Sequence, residues 1–329
     1  MKALTTVDDK VRHFSQDIFF REAWADVKAA LGAGTEAVLQ RLALIVFKPE
    51  CVATDRVADS WELLLEEGFH PVYWRPFTHD RLTVRELWRY RWSALPLQRL
   101  HLTEAQNTIG PSLLTVARYE GPIRHVPASV VLNRVKGPSD PARRHERHLR
   151  TRLGSDSALI NYLHAADEPL DIVREWGVLI PPDERLRMLA VISAKLAAAP
   201  DPADVTQIVR DARDLTGGAA PPELDYAKVR AGLDDLLRSE RARHPQAVAQ
   251  VRAMLMAAQG QLPDWREFVA QVRAMAPGWP DWNLVVTGAG LASHAAGPDR
   301  PASISDDGTV GWWRGEGKMV LNQRATHST

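Results

Sequence analysis

The sequence predicts an α+β fold, in which a four-stranded antiparallel sheet with helices on one face is followed by a mainly α-helical second half. Three observations point there. Short apolar runs bounded by turn residues recur between residues 42 and 163, separated by segments of helical period. After Pro181-Pro182 the composition shifts to alanine, arginine and aspartate with helical periodicity broken only by proline and glycine. Finally, 329 residues with 45% hydrophobic content exceed one average domain and amply supply a core. The expected segments are a helical lead-in at 1–38, the α+β domain at 39–182, a helical extension at 183–278 and a Trp- and Gly-rich tail at 279–329.

Each element has a local reason. Phe19, Phe20, Trp24, Val27 and Leu31 recur at helical spacing and predict one amphipathic helix in the lead-in. Leu42 to Phe47 is a strand-like apolar run. Thr54 or Asp55 can cap a helix running through Trp61 to Glu67, which Gly68 ends. His70 to Phe77 alternates enough for a second strand, and Thr83 starts a helix through Trp92. Polar residues among leucines from Ser93 to Thr108 suggest a helical hairpin. Ser112 to Tyr119 is a third strand, and Ala128 to Lys136 is a helix stopped by Gly137. Ala158 to Leu163 is a short apolar run compatible with a buried fourth strand, which would set His164 at its C-terminal end facing a crevice. Pro169 suits the first turn of the next helix because it lacks the N–H that would be unsatisfied there, and Asp171 adds negative charge to that turn. The summed order is that of a ferredoxin-like sheet.

Beyond Pro182, helices are expected at Asp183–Ala199, Asp201–Leu215, Glu223–Ala242, Pro245–Gln259 and Asp264–Met275, and they could form a bundle of their own. Leu186, Leu189, Ala190, Ile192, Ser193 and Leu196 mark one core stripe. The last fifty residues place Trp279, Trp282, Trp312 and Trp313 among glycines and prolines, with a strand-like run from Asn283 to Thr287. Thr287-Gly288-Ala289-Gly290 after a strand could cradle a phosphate or be a plain turn. Residues 294 to 308 read as loop, and the tryptophans as packing the tail onto the body.

Composition excludes several classes. Lysine plus arginine equals aspartate plus glutamate at 41 each, so no overall basic field draws the chain onto nucleic acid and any anion site must be local. The single cysteine, Cys51, rules out an intrachain disulfide framework and a Cys-rich zinc site and fits a reducing, cytoplasmic compartment. Cys51 reads as a small buried residue. Asp8, Asp9, Arg12 and Asp17 interrupt any secretory core near the start, and no apolar run approaches membrane-spanning length, so no membrane partner is expected. The histidines lack a metal-site spacing.

The chemistry gathers around Asn161-Tyr162-Leu163-His164, with Glu175 eleven residues after the histidine. Glu175 falls about two turns into the helix that Pro169 opens, roughly 9 Å along its axis, so a returning helix could bring its carboxylate to the imidazole. A carboxylate on one ring nitrogen fixes the tautomer and frees the other to attack. Taken alone, the spacing fits equally a satisfied histidine at a strand end and a solvated glutamate. Residues 137 to 157 lack apolar period and carry Arg143, Arg144, Arg147, Arg150 and Arg152, a long loop that either supplies charge to a phosphate chain or is a solvated segment.

In order and spacing these residues resemble the active site of nucleoside diphosphate kinases over about residues 42 to 180. Lys48 in Val46-Phe47-Lys48-Pro49-Glu50 matches the family's strand-end lysine, Ser139 its phosphate-touching threonine, Arg150 its second phosphate arginine, Asn161 its ribose-binding asparagine, His164 the phosphorylated histidine and Glu175 the glutamate that holds the ring. Tyr90 or Arg91 fits the family's tyrosine. An earlier phosphate arginine is replaced by Asn133, with Arg134 one place off. Cys51 replaces a glycine, Glu50 an aspartate, and the turn after the histidine reads Ala165-Ala166-Asp167. The departures fall mainly on the nucleoside pocket.

The resemblance implies a phosphotransferase that moves the γ-phosphoryl of ATP or another nucleoside triphosphate, with nucleotide-bound Mg²⁺ and no protein-bound metal, through a phosphohistidine at His164 to a nucleoside diphosphate or related small-molecule acceptor. It implies catalytic roles for His164, Glu175 and Lys48, nucleotide or phosphate contacts from Lys48, Tyr90, Arg91, Arg134, Ser139, Arg150 and Asn161, and a homo-oligomer. The alternative is a catalytically reduced nucleotide-binding module whose helical half docks a partner.

Overall fold

The strand Leu42–Phe47, here β1, is apolar at every position, and all six of its residues are buried. A strand with no polar face must be covered on both sides, and this one is. In the computed structural model, which describes residues 1–258, 262–292, 302–304 and 308–320, β1 is flanked by β3 (Pro111–Tyr119) and β4 (Leu163–Ala165). The outer neighbour of β3 is β2 (Phe69–Thr78). The order is β2-β3-β1-β4 and every pairing is antiparallel. With β1 and β4 non-consecutive neighbours, this is the split β-α-β arrangement of a ferredoxin-like sheet.

Alternate residues of β1 enter different cores. Ala43, Ile45 and Phe47 pack with Trp61, Leu64 and Val131, which belong to the helices Arg56–Glu66 and Ala128–Lys136. Leu42, Leu44 and Val46 pack with Phe20, Leu170 and Trp176. Helices therefore cover both faces of the sheet rather than one. The second layer comes from the lead-in helix Ile18–Leu31 and from the helices Pro169–Leu179 and Pro182–Ala197, which pack against one another as well as on the sheet.

The fourth strand is shorter than the apolar run Ala158–Leu163 suggests. Tyr162 adopts φ 66°, a left-handed conformation unfavourable for a bulky residue. The amide N–H groups of Asn161 and Tyr162 both donate to Glu50 Oε1 at 3.2 Å instead of to a strand. The kink leaves three residues to pair with β1, and His164 sits in the middle of them, opposite Val46.

Three other differences follow from packing. Between β2 and β3 the chain forms the short helices Arg81–Leu87 and Arg89–Trp92 and then one helix, Leu97–Thr108, instead of a hairpin. The run Asn283–Thr287 lies within the helix Asp281–Ala292, where Leu284, Val285 and Val286 are all buried, so no strand precedes the glycines. A helix apolar all round offers no period to read. Gly288 allows close packing: a Cβ there would come 2.6 Å from Leu102 and Trp265 side chains. The segment is neither a phosphate cradle nor a turn. In Pro182–Ala197 the buried stripe is Arg185, Met188, Leu189 and Ile192, while Leu186 is 46% exposed.

The later helices divide. Ile208 and Ala212 of Pro202–Asp214 join the sheet core. The helices Tyr226–Ser239, Pro245–Ala257, Trp265–Met275 and Asp281–Ala292 share a separate apolar cluster with Leu102, Leu159 and Ile160. Most of the loop expected at 294–308 lies outside the described residues. Trp312 is 1% exposed and donates from Nε1 to Glu168 Oε1 at 2.9 Å. That fully buried carboxylate also accepts from Thr5 Oγ1 at 2.7 Å, Thr6 N at 2.8 Å and Lys10 Nζ at 2.7 Å. Among the described residues no helix is long and apolar enough to cross a membrane.

Candidate functional site

His164 lies on β4 and Glu175 on the helix Pro169–Leu179 that turns back from it. Pro169 opens that helix, and the Glu168 N–H donates to Asp171 Oδ2 at 2.9 Å, so the entry to the helix is fixed. The return places His164 Nε2 2.9 Å from Glu175 Oε2, with the two side chains 17% and 9% exposed. A carboxylate can only accept, so Nε2 carries the proton and Nδ1 the lone pair. Trp88 stands edge-on to the imidazole, ring centroids 5.3 Å apart at 85°. Ring orientation is thus set from two sides.

Both residues line a cavity of about 330 Å³, within the range of small-ligand sites. Seven cationic side chains line it, Lys10, Lys48, Arg91, Arg99, Lys136, Arg150 and Arg174, against the three carboxylates Asp167, Asp171 and Glu175. A neutral chain has concentrated positive charge in one cleft. Several of these cations have carboxylate partners: Lys10 pairs with Glu168 and Asp171, Lys48 with Glu50, and Arg174 with Asp17 and Glu86.

Of the residues singled out from sequence, Lys48, Tyr90, Arg91, Ser139, Arg150, Asn161, His164 and Glu175 all line this cavity. Lys48 Nζ is 2.9 Å from Glu50 Oε1 and donates to Leu159 O at 2.7 Å and Asn161 Oδ1 at 3.2 Å. Arg150 Nη2 donates to Leu163 O at 2.7 Å and Asn161 Oδ1 at 3.3 Å, and Nη1 to Gly137 O at 2.8 Å and Ser139 Oγ at 3.4 Å. Arg150 therefore ties the loop after residue 137 to β4. Tyr90 donates its hydroxyl to Asp17 Oδ2 at 3.0 Å, and its ring lies 4.9 Å from the Arg174 guanidinium. Arg134 is the exception. It is absent from the cavity lining, and its guanidinium lies over the Trp313 ring at 4.8 Å, because one step along the helix from Asn133 turns the side chain toward the tail.

Sequence reasoning missed three members of the site. Trp88 falls inside the helix expected from Thr83 to Trp92 and carries no further signal in the sequence. Lys136 shares a helix face with Asn133, three residues earlier, a spacing that could have drawn notice. Glu50 appeared only as a replaced aspartate, yet its Oε1 also accepts from Gln106 Nε2 at 3.0 Å and so gathers four donors.

The electrostatics follow from burial. Burial lowers the Lys48 pKa against the opposing pull of Glu50. Burial, helped by Arg144, pushes Arg150 down to about 9, and burial, helped by Arg150, pushes Lys136 down to about 7. Asp167 moves the other way: burial would raise it, but Lys10, Lys136, Arg91 and His164 together hold it below the usual carboxylate range. An anion entering the cleft would relieve the cations. Among the described residues no group of three or more His, Cys, Asp or Glu could hold a metal ion. Cys51 is fully buried, and burial raises its thiol pKa.

The fold and the cleft define an α+β protein with a carboxylate-held histidine in a cationic pocket. Two solved structures are similar to part of the chain. One is a nucleoside diphosphate kinase from Aquifex aeolicus, 18% identical with a TM-score of 0.36, over 44% of this chain and 97% of that one. The other is a nucleoside diphosphate kinase from Encephalitozoon cuniculi, 16% identical with a TM-score of 0.38, over 44% of this chain and 91% of that one. No protein-family model and no curated protein matches the chain.

Proposed function

We propose that the chain is a phosphotransferase that moves the γ-phosphoryl group of a nucleoside triphosphate through His164 to a nucleoside diphosphate or a related small-molecule acceptor. The observation that carries this reading is the 2.9 Å contact between His164 Nε2 and Glu175 Oε2 at the wall of a cationic cleft. Nδ1 attacks the γ-phosphorus, an N–P bond forms, and the P–O bond to the β-phosphate breaks, its electron pair leaving with the diphosphate. Positive charge that develops on the ring is met by the Glu175 carboxylate at Nε2–H. In the second half an acceptor oxygen takes the phosphoryl group and the imidazole is restored, which is ping-pong chemistry. Lys48 and Arg150 supply positive field and Ser139 and Asn161 polar contacts, and Mg²⁺ would enter as part of the nucleotide substrate and offset phosphate charge. A homo-oligomer belongs to the same reading.

One observation favours a second reading, a nucleotide-binding module without turnover. Lys48 and Arg150 are satisfied by the chain's own carbonyl and amide oxygens, so their donors are already engaged. Incubation with γ-labelled ATP followed by alkaline denaturation separates the two. Acid-labile label that is absent from His164→Ala supports phosphotransfer, and a wild-type chain that binds nucleotide without taking label overturns it.

A further inference from the structure

Lys10, Lys48 and Lys136 are all buried lysines of the cleft, but they are held differently. Lys10 Nζ is 2.7 and 2.6 Å from the carboxylates of Glu168 and Asp171, and Lys48 Nζ is 2.9 Å from Glu50. Lys136, 8% exposed, donates to the amide oxygen of Asn133 at 2.6 Å, and among the described residues no carboxylate stands within 4.0 Å of its ammonium. A buried ammonium with no carboxylate in direct contact is costly unless it loses its proton or gains an anion.

Its position is fixed rather than incidental. The Asn133 amide nitrogen donates to Ser129 O at 3.1 Å and to Ala166 O at 2.9 Å, so the oxygen is left to hold Lys136. Because Ala166 follows His164 by two residues, this bridge registers Lys136 against the strand that carries the histidine. The charged groups facing Lys136 are Arg150, Asp167, Glu175 and Arg91, each on a different segment packed around the cleft. Two of them are cations and two are carboxylates, so the four offset one another and none is in salt-bridge contact with the ammonium.

We propose that Lys136 binds the phosphoryl group in transit, donating to its non-bridging oxygens as it passes to and from His164, with Asn133 as the positioning residue. This rests on the reading of His164 as the phosphoryl carrier. The ammonium transfers no proton; its charge offsets the anion while the N–P bond forms and breaks. With its pKa pushed down to about 7, Lys136 is protonated below neutrality and progressively loses the proton above it. The bound phosphate raises that value again.

The test is single-turnover labelling of the full chain by γ-labelled ATP at pH values on both sides of neutrality, for wild type, Lys136→Met, Lys136→Arg and His164→Ala. Lys136→Met is expected to slow labelling about a hundredfold with circular dichroism unchanged. Lys136→Arg restores most of the rate and abolishes the alkaline fall of the wild-type profile, since arginine keeps its proton. Labelling confined to His164 but indifferent to Lys136→Met overturns this inference alone. Should Lys136→Met fail to fold, an alkaline limb unchanged in Lys136→Arg overturns it equally. Label that survives His164→Ala, or a wild-type chain that takes none, brings down the reading of the site and this inference with it.

Discussion

The Nε2 of His164, on a three-residue edge strand, and the Oε2 of Glu175, on the helix that returns from it, lie 2.9 Å apart. The amide of Glu175→Gln has the carboxylate's shape but can donate as well as accept, so the ring is free to take the other tautomer. The rate of His164 labelling by γ-labelled ATP is expected to fall by about 10² to 10⁴, with nucleotide affinity little changed. An unaltered rate would remove Glu175 from the mechanism.

Glu50 gathers Lys48, Gln106 and the Asn161 and Tyr162 amides on one buried oxygen. Glu50→Ala leaves a buried ammonium without its counter-ion and two amides of the kink without an acceptor. Stability measured by urea unfolding is expected to drop by about 3–5 kcal/mol. The double variant with Lys48→Met should lose less than the sum of the two single losses, because the charges are in contact.

Lys136 makes the opposite prediction. Its folded pKa, about 7, is depressed from 10.5, so its contribution to stability is present above pH 10.5 and is lost as pH falls toward 7. Lys136→Met should therefore be more stable than wild type at neutral pH, by an amount on the order of 1–4 kcal/mol. The advantage should shrink as pH rises toward 10.5. Denaturant midpoints at neutral and alkaline pH check the sign, and a Met variant less stable at both would contradict it.

Trp312 fills a buried site and donates to Glu168 at 2.9 Å. Trp312→Ala is expected to cost about 3–5 kcal/mol. Trp312→Phe keeps most of the volume and loses one charged hydrogen bond, about 1.5–3 kcal/mol. Equal losses in thermal or urea unfolding would mean that the ring volume adds nothing beyond the indole N–H, and an unchanged Phe variant would mean that the N–H contributes nothing.

The parts of the fold legible from sequence are those whose determinants are local. Leu42–Phe47 is continuous and apolar, and the helix Ala128–Lys136 ends at Gly137, which takes φ 82°. The parts that were not legible depend on partners distant in sequence. The fourth strand is cut short because Glu50, more than a hundred residues earlier, captures the amides before it. The helix Asp281–Ala292 hides its period because every side meets protein. Within the site, the histidine, the glutamate and most of the polar residues were legible because their spacing is fixed by a strand, a turn and a helix. Lys136 was not, since what distinguishes it, burial in the cleft with no carboxylate in salt-bridge contact among the described residues, is set by three-dimensional packing.

Glu168 stands seven residues before Glu175 on the same rod of backbone, and beyond its own helix the donors to its carboxylate come from Thr5, Thr6, Lys10 and Trp312. A protein trimmed to the sheet and its nearest helices would strip that carboxylate of those partners, its counter-ion Lys10 among them, at the root of the rod that steadies the imidazole. The smallest excised unit able to keep the ring in place is consequently much larger than the sheet. The flanking segments are part of its foundation.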